Sequence, residues 1–225
     1  MTDAHPAGSW AADDFVKRWI AHDSMAAIVE LPMRLSAALV RESGIPVRRV
    51  VDVGSGPGTY LRILLEEFPD ADGTWIDASD AMLARAEASL ADLSPRLTFT
   101  VGDLRDATAL PLGGDVIVSS RAIHHFLPDT IEGFYRAAGE ALSPGGFFCN
   151  LDHFATPGDW RARYKAIKPR FVPSSGGGSE SHTHDSPPQL VKDHLAWLRA
   201  SGFADPDVPW RLFWTALVVA RTPSA

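Results

Sequence analysis

Between residues 48 and 154, apolar positions follow two alternating rhythms. Short unbroken apolar runs give way to stretches in which apolar residues recur every three or four positions. The run RRVVDVG, with Val50, Val51 and Val53, reads as a buried strand. Beyond a cluster of glycines, Leu61, Leu64, Leu65 and Phe68 fall at i, i+3, i+4 and i+7, which is one face of a helix. Pro69 and Gly73 break the chain, and GTWIDA predicts a second strand. DAMLARAEASLADL predicts a helix that Pro95 stops. LTFTVGD and GDVIVSS read as third and fourth strands. Ile131, Phe134, Tyr135, Ala138 and Leu142 mark a further helix, and SPGG turns the chain into a fifth strand, GGFFCNLDHF. Asp80 and Asp129 read as helix caps.

The flanks are less regular. Two helices rich in Ala, Leu and Trp are expected at about 10–22 and 24–43, the second ended by Gly44 and Pro46. From about 155 to 188 the rhythm fails, with Pro157, Pro169, Pro173, Pro187, Pro188 and the run SSGGGSESH. A short helix near 158–168 is expected there. PQLVKDHLAWLRASGF then predicts a helix closed by Gly202, and PDVPWRLFWTALVVARTP two final strands, an antiparallel pair at the sheet edge. Alternation of strands and helices calls for a parallel sheet covered on both faces. The expected fold is α/β: a three-layer Rossmann-like sandwich on a mostly parallel seven-stranded sheet with an antiparallel C-terminal edge pair. Residues 1–225 are read as one domain, with 1–45 a helical lid and 155–188 a lid-like insertion.

Composition narrows the function. Net charge is −7 and the pI near 5.6, which disfavours nucleic-acid phosphates and anionic membranes as partners. Cys149 is the single cysteine, so no internal disulfide is possible. The polar, acidic start lacks a signal-peptide pattern, and no apolar run is long enough to span a bilayer. The expectation is a cytoplasmic protein, monomer or homodimer, acting on a small molecule.

The stretch VVDVGSGPGTY carries the chemistry. A strand that runs into a helix through glycines makes a corner where a ligand can lie against bare backbone. Gly54, Gly56 and Gly58 follow G-x-G-x-G, and Thr59 stands where a dinucleotide pattern needs its last glycine. No Lys-Ser/Thr pair makes a P-loop. A strand, an acidic residue and G-x-G-x-G together resemble the first motif of class I S-adenosylmethionine (SAM) dependent methyltransferases. DVIVSSRAIHHF resembles that family's fourth-strand motif, and ALSPGGFF its turn into the fifth strand. The resemblance implies SAM as cofactor. It implies that Gly54, Ser55, Gly56 and Gly58 lie against the nucleoside and methionine, with Asp52 organising the loop and reaching the methionyl amine. It further implies Asp77 on the ribose hydroxyls, Ala78 and Met82 beside the adenine, Asp103 and Leu104 on its polar edge, and Ser119 near the methionine. Apart from the resemblance, two carboxylate oxygens suit two adjacent hydroxyls, and these acids sit at successive strand ends, where open α/β sheets bind ligands.

The histidines leave alternatives open. His124 and His125 follow the fourth strand, near the expected methyl group; either transfers a proton, His125 by preference, or the pair packs and caps the loop. His153, after the fifth strand, faces the acceptor or is solvated. His182, His184 and Asp185 could suit a metal with open positions, but their spacing matches no strict motif, and no metal is assigned. His184 is instead a candidate for the acceptor pocket. In the insertion, Tyr164, Arg170 and their basic neighbours, with Trp214 nearer the C-terminus, could meet the acceptor; a solvated helix face and strand packing explain them as well. Trp10, Phe15, Trp19 and His22 could roof the cofactor or pack on the sheet. The expected activity is methyl transfer from SAM to an O, N or C nucleophile; the alternative is a non-methyl SAM reaction on the same fold.

Overall fold

The computed structural model describes residues 26–105, 110–172 and 185–224. Trp10, Phe15, Trp19, His22, His182 and His184 lie outside the described residues, as does the expected helix at 10–22.

In chain order the elements are α1 (Ala26–Glu42), β1 (Arg49–Val53), α2 (Thr59–Glu67), β2 (Asp72–Asp77), α3 (Asp80–Ser89), β3 (Leu97–Val101) and β4 (Gly114–Ser120). There follow α4 (Pro128–Ala141), β5 (Leu142–His153), α5 (Trp160–Ile167), α6 (Val191–Ala200), β6 (Ala204–Leu212) and β7 (Thr215–Arg221). The sheet has seven strands in the order β3-β2-β1-β4-β5-β7-β6. Strands β1 to β5 pair in parallel, and β7 runs antiparallel to both β5 and β6. This is the three-layer architecture expected, antiparallel edge pair included.

Strand alternation sorts the two cores. Val50 of β1 packs with α1 and α2 (Met33, Tyr60, Leu61, Leu64, Leu65) on one face. Val51 and Val53 pack with α4 and α6 (Ile131, Phe134, Tyr135, Leu198) on the other. Asp52 therefore points to the α1–α2 side, beneath the glycine corner. The order of strands reverses between β1 and β4, so a crevice opens there at their carboxyl ends.

Four local expectations change. The third helix stops at Ser89 rather than reaching Pro95, and residues 91–96 form a 3₁₀ turn that contains this proline. Ser89 is held by its hydroxyl on Pro57 O at 2.6 Å, which ties the helix end to the glycine loop. The cap of α3 is Ser79, whose hydroxyl accepts from Met82 N at 3.3 Å; Asp80 lies one position inside. Helix α4 opens with Pro128 after Leu127, so Asp129 also sits in the first turn and is no cap. Leu142 belongs to β5, which starts before SPGG and absorbs it as an irregularity between the Gly114–Leu142 and Val116–Phe147 pairs.

Beyond the insertion, the chain returns to the carboxyl edge. Asp185 N donates to His125 O at 2.8 Å, and Ser186 Oγ to Phe126 O at 3.0 Å. Ala155 N donates to Gln189 O at 2.8 Å, which ties this segment to the end of β5. Pro206 and Pro209 fall in β6 without loss, because it is an edge strand with two register shifts.

Candidate functional site

A cavity lies at the carboxyl ends of β1, β2 and β4. Its floor is the glycine corner: Asp52, Gly54, Ser55, Gly56 and Pro57 line it. The corner is tied to β2 by Gly54 N and Ser55 N, both donating to Ile76 O at 2.8 and 3.1 Å. Gly54 has φ +66°, and a Cβ there would stand 2.4 Å from Ala122 Cβ. Only a residue without a side chain lets β1's exit pack against the exit of β4. Gly58 has φ +84°, and a Cβ on it would meet Leu90 Cδ1 at 2.5 Å. It does not line the cavity; it seats the start of α2 against the end of α3. A Cβ on Gly56 would meet only Met82 Sδ, at 3.9 Å.

The Gly56 peptide is clamped at both ends. Its N–H donates to Asp77 Oδ2 at 2.8 Å, and its carbonyl accepts from the Trp75 indole at 2.9 Å. Asp77 Oδ1 accepts from Ser79 N at 3.0 Å. Burial pushes Asp77 above the usual carboxylate range, against the pull of these bonds. Asp52 is fully buried. Its Oδ2 accepts from Ser55 Oγ at 2.6 Å and from Leu61 N at 3.1 Å, whereas the buried Oδ1 meets no protein donor. Burial pushes the Asp52 carboxyl up to about 7, with the hydrogen bonds opposing and the Asp77 charge adding a little. A buried carboxylate with one open oxygen is a ready receptor for a cationic donor.

Ala78 and Met82 form one wall with Asp77. Asp103, Leu104 and Arg105 form the next. Asp103 is engaged by its neighbour: Arg105 Nε lies 2.9 Å from both carboxylate oxygens, and Arg105 N donates to Oδ1 at 2.9 Å. Met33 and Tyr60 complete the α1–α2 side. Tyr60 is fixed there by a 2.6 Å bond between its hydroxyl and Ser36 Oγ. Sequence reasoning missed both residues. Their apolar spacing marks them as core, and nothing in it says that α1 packs beside the crevice.

At the exit of β4, Ser120, Arg121 and Ala122 line the cavity, and so do His125 and Phe126. Ser119 does not: it is fully buried, and its alternate neighbour Ser120 takes the cavity side. Arg121 has φ +55°, and its N–H is held on Leu151 O at 2.9 Å. His124 points away from the cavity lining to Asp152. The His124 Nδ1 to Asp152 Oδ1 distance is 2.5 Å, and His124 N donates to Oδ2 at 3.0 Å. His153 N donates to Asp152 Oδ1 at 2.8 Å. Burial raises Asp152 despite these donors. The His124 and His125 ring centroids are 4.1 Å apart, so the Asp152–His124 pair backs the histidine that faces the cavity. His153 also lies behind, 5.1 Å from the His124 ring, with Nδ1 2.9 Å from Thr215 Oγ1. Burial first, then the neighbouring His124, lower its pKa to about 3, so this imidazole is neutral.

Tyr164, Arg170 and Trp214 do not line this cavity. Tyr164 and Trp214 belong to a chain of rings through Phe213, with centroids 5.6 and 6.0 Å from it. Arg170 is exposed at the end of a 3₁₀ turn after α5. Among the described residues, no group of three or more His, Cys, Asp or Glu could hold a metal ion, and no helix is long and apolar enough to cross a membrane.

Residues 50–146 match the model of a family described as "Methyltransferase domain". Demethylspheroidene O-methyltransferase of Rhodobacter capsulatus is 34% identical over a stretch covering 44% of this chain and 24% of that protein. Trans-aconitate 2-methyltransferase of Methylobacterium radiotolerans is 36% identical over 44% of this chain and 35% of that protein. The matched stretch thus spans little more than a third of these relatives at most. Among solved structures, an O-methyltransferase family protein from Burkholderia thailandensis superposes with a TM-score of 0.74 at 19% identity, over 97% of this chain and 63% of that one. That likeness establishes the fold.

Proposed function

We propose that this chain, whose residues 50–146 match the model of a methyltransferase domain, is a class I SAM-dependent enzyme that transfers a methyl group from SAM to an oxygen of a small molecule. One observation carries the reading. The buried Asp52 leaves Oδ1 without a protein donor beneath a glycine corner, and Asp77 stands on the neighbouring strand end of the same cavity. The spacing suits an amino acid joined to a nucleoside: an ammonium for Asp52, two ribose hydroxyls for Asp77, and a flat base between Met82 and the Asp103–Leu104 wall. Bound there, SAM supplies a methyl group on a sulfonium, open to in-line displacement.

The remaining work falls to the chain's own residues. The clamped Gly56 peptide presents a fixed surface, with no reorganisation needed on binding. Apolar Met33, Ala122 and Phe126 limit water in the cavity. His125 is the side chain proposed to take the acceptor proton, since it alone of the three candidate histidines lines the cavity. His124, anchored on Asp152, and the neutral His153 are proposed as positioning residues for the turn that carries it. The oxygen acceptor follows the names of the relatives, demethylspheroidene O-methyltransferase among them. A net charge of −7 supports a small molecule over nucleic acid. We further take 1–225 to act as one domain, in the cytoplasm, as a monomer or homodimer.

The test is calorimetric titration with SAM and S-adenosylhomocysteine, followed by mass spectrometry of turnover products. Micromolar or tighter binding and S-adenosylhomocysteine as product are expected. Folded protein that binds neither compound refutes the reading; methylthioadenosine as product replaces methyl transfer with a reaction of the aminobutyryl chain.

A further inference from the structure

The three acids that line the cavity are not held alike. Asp103 turns back on its own chain: Oδ1 accepts from Arg105 N at 2.9 Å, which closes a local turn. The Arg105 guanidinium then closes on the same carboxylate. Its Nε lies 2.9 Å from both oxygens, and Nη2 donates to Oδ2. Three N–H groups of one residue thus occupy a carboxylate that has about four lone-pair positions, and a full positive charge lies against its negative one. Both residues line the cavity, with side chains 28% and 36% exposed for Arg105 and Asp103. Standing two positions apart on one turn, they need no distant segment to bring them together.

Asp77 and Asp52 are met by neutral donors instead. Asp77 accepts from the backbone N–H groups of Gly56 and Ser79, at 2.8 and 3.0 Å. Asp52 accepts from Ser55 Oγ and Leu61 N. Such donors satisfy lone pairs without cancelling a negative charge. Between Asp77 and Asp103 the slot is apolar. A Cβ on Gly56 would meet Met82 Sδ at 3.9 Å, and one on Gly54 would meet Leu104 Cδ1 at 3.2 Å, so both side chains are set against the glycine corner. Ala78 continues the Met82 wall. A purine between these walls is gripped by its faces. A bare carboxylate would read its 6-amino group through a charge-assisted bond; Asp103 offers an acceptor already paired with a cation.

We propose, resting on the cofactor reading above, that Arg105 makes this site indifferent to the 6-position of the base. Ion-paired Asp103 does not select for the amino group, and the pocket takes sulfur-linked nucleosides of hypoxanthine or unsubstituted purine about as well as those of adenine. Affinity comes from the ammonium at Asp52, the ribose at Asp77 and the ring faces. Arg105 sets the tolerance, because removing it returns to Asp103 the charge that would read the amine.

The test is calorimetric competition among three compounds: S-adenosylhomocysteine, S-inosylhomocysteine, and the analogue whose purine carries no 6-substituent. Wild type is expected to bind all three within about fivefold of one another. Arg105→Met, checked for an unchanged melting curve, should raise the preference for S-adenosylhomocysteine over either analogue by about fivefold or more. A wild-type preference for S-adenosylhomocysteine above that limit overturns the proposal, as does a smaller gain in the variant. If Arg105→Met melts early, Arg105→Gln takes its place with the same gain expected, and its absence refutes the role of Arg105. Failure of all three compounds to bind wild type removes the cofactor reading itself. Binding of S-adenosylhomocysteine with rejection of both analogues removes this proposal alone.

Discussion

The proposed contact of Asp52 with the cofactor makes binding depend on pH in a calculable way. Its carboxyl is pushed up from 3.8 to about 7 in the folded protein, chiefly by burial. If a methionyl ammonium sits against the open Oδ1, the bound state requires the ionised carboxylate. Below pH 7 binding must then release a proton, and the dissociation constant scales as one plus the ratio of protonated to ionised Asp52. Between pH 7.5 and 5.5 that factor is about 25-fold, or about 1.9 kcal/mol. Asp77 is shifted in the same direction, chiefly by burial. Calorimetry of S-adenosylhomocysteine across this range, in buffers of different ionisation enthalpy, measures both the affinity and the protons released. Asp52→Asn should bind about tenfold more weakly at pH 7.5 and show a flatter slope, and the difference between the slopes isolates Asp52. A wild-type affinity that does not fall toward pH 5.5, or an Asp52→Asn slope as steep as wild type, refutes the reasoning.

Further outcomes follow from the same geometry. Without ligand, the folded protein keeps a proton on Asp52 where the unfolded chain has lost it, so stability should decline as pH rises from about 4 to about 7. The decline is on the order of 4 kcal/mol at most, and chemical denaturation of wild type beside Asp52→Asn would detect it; a wild-type stability flat over that window contradicts the shift. Gly54→Ala places a Cβ 2.4 Å from Ala122 Cβ at φ +66°; a loss of about 1–3 kcal/mol in stability is expected, with S-adenosylhomocysteine binding reduced, and an unchanged melting curve would contradict it. Asp77→Ala frees the Gly56 N–H held at 2.8 Å and should weaken S-adenosylhomocysteine at least tenfold; unaltered binding removes Asp77 from the ribose. His125→Asn should lower turnover of an accepted substrate by about 10²–10⁴-fold; turnover within threefold of wild type shows that proximity alone suffices.

Local pattern was enough to mark most elements and the acids at the strand ends. Val50, Val51 and Val53 announce a strand, Leu61, Leu64 and Leu65 a helix face, and G-x-G-x-G the corner between them, because side-chain period and backbone freedom are properties of neighbouring residues. The sequence thus determined the α/β alternation and the carboxyl-edge positions of Asp52, Asp77 and Asp103. Tertiary packing decided the rest. It stopped α3 early, where Ser89 finds Pro57 O. It sent Gly58 behind the corner, turned Ser119 inward with Ser120 toward the cavity, and gave His124 to Asp152 while His125 faces the cavity. It brought in Met33 and Tyr60 as a wall. Each of these depends on which face of the sheet a side chain takes and what a distant segment presents there. Such contacts join residues tens of positions apart, and no local rhythm encodes them.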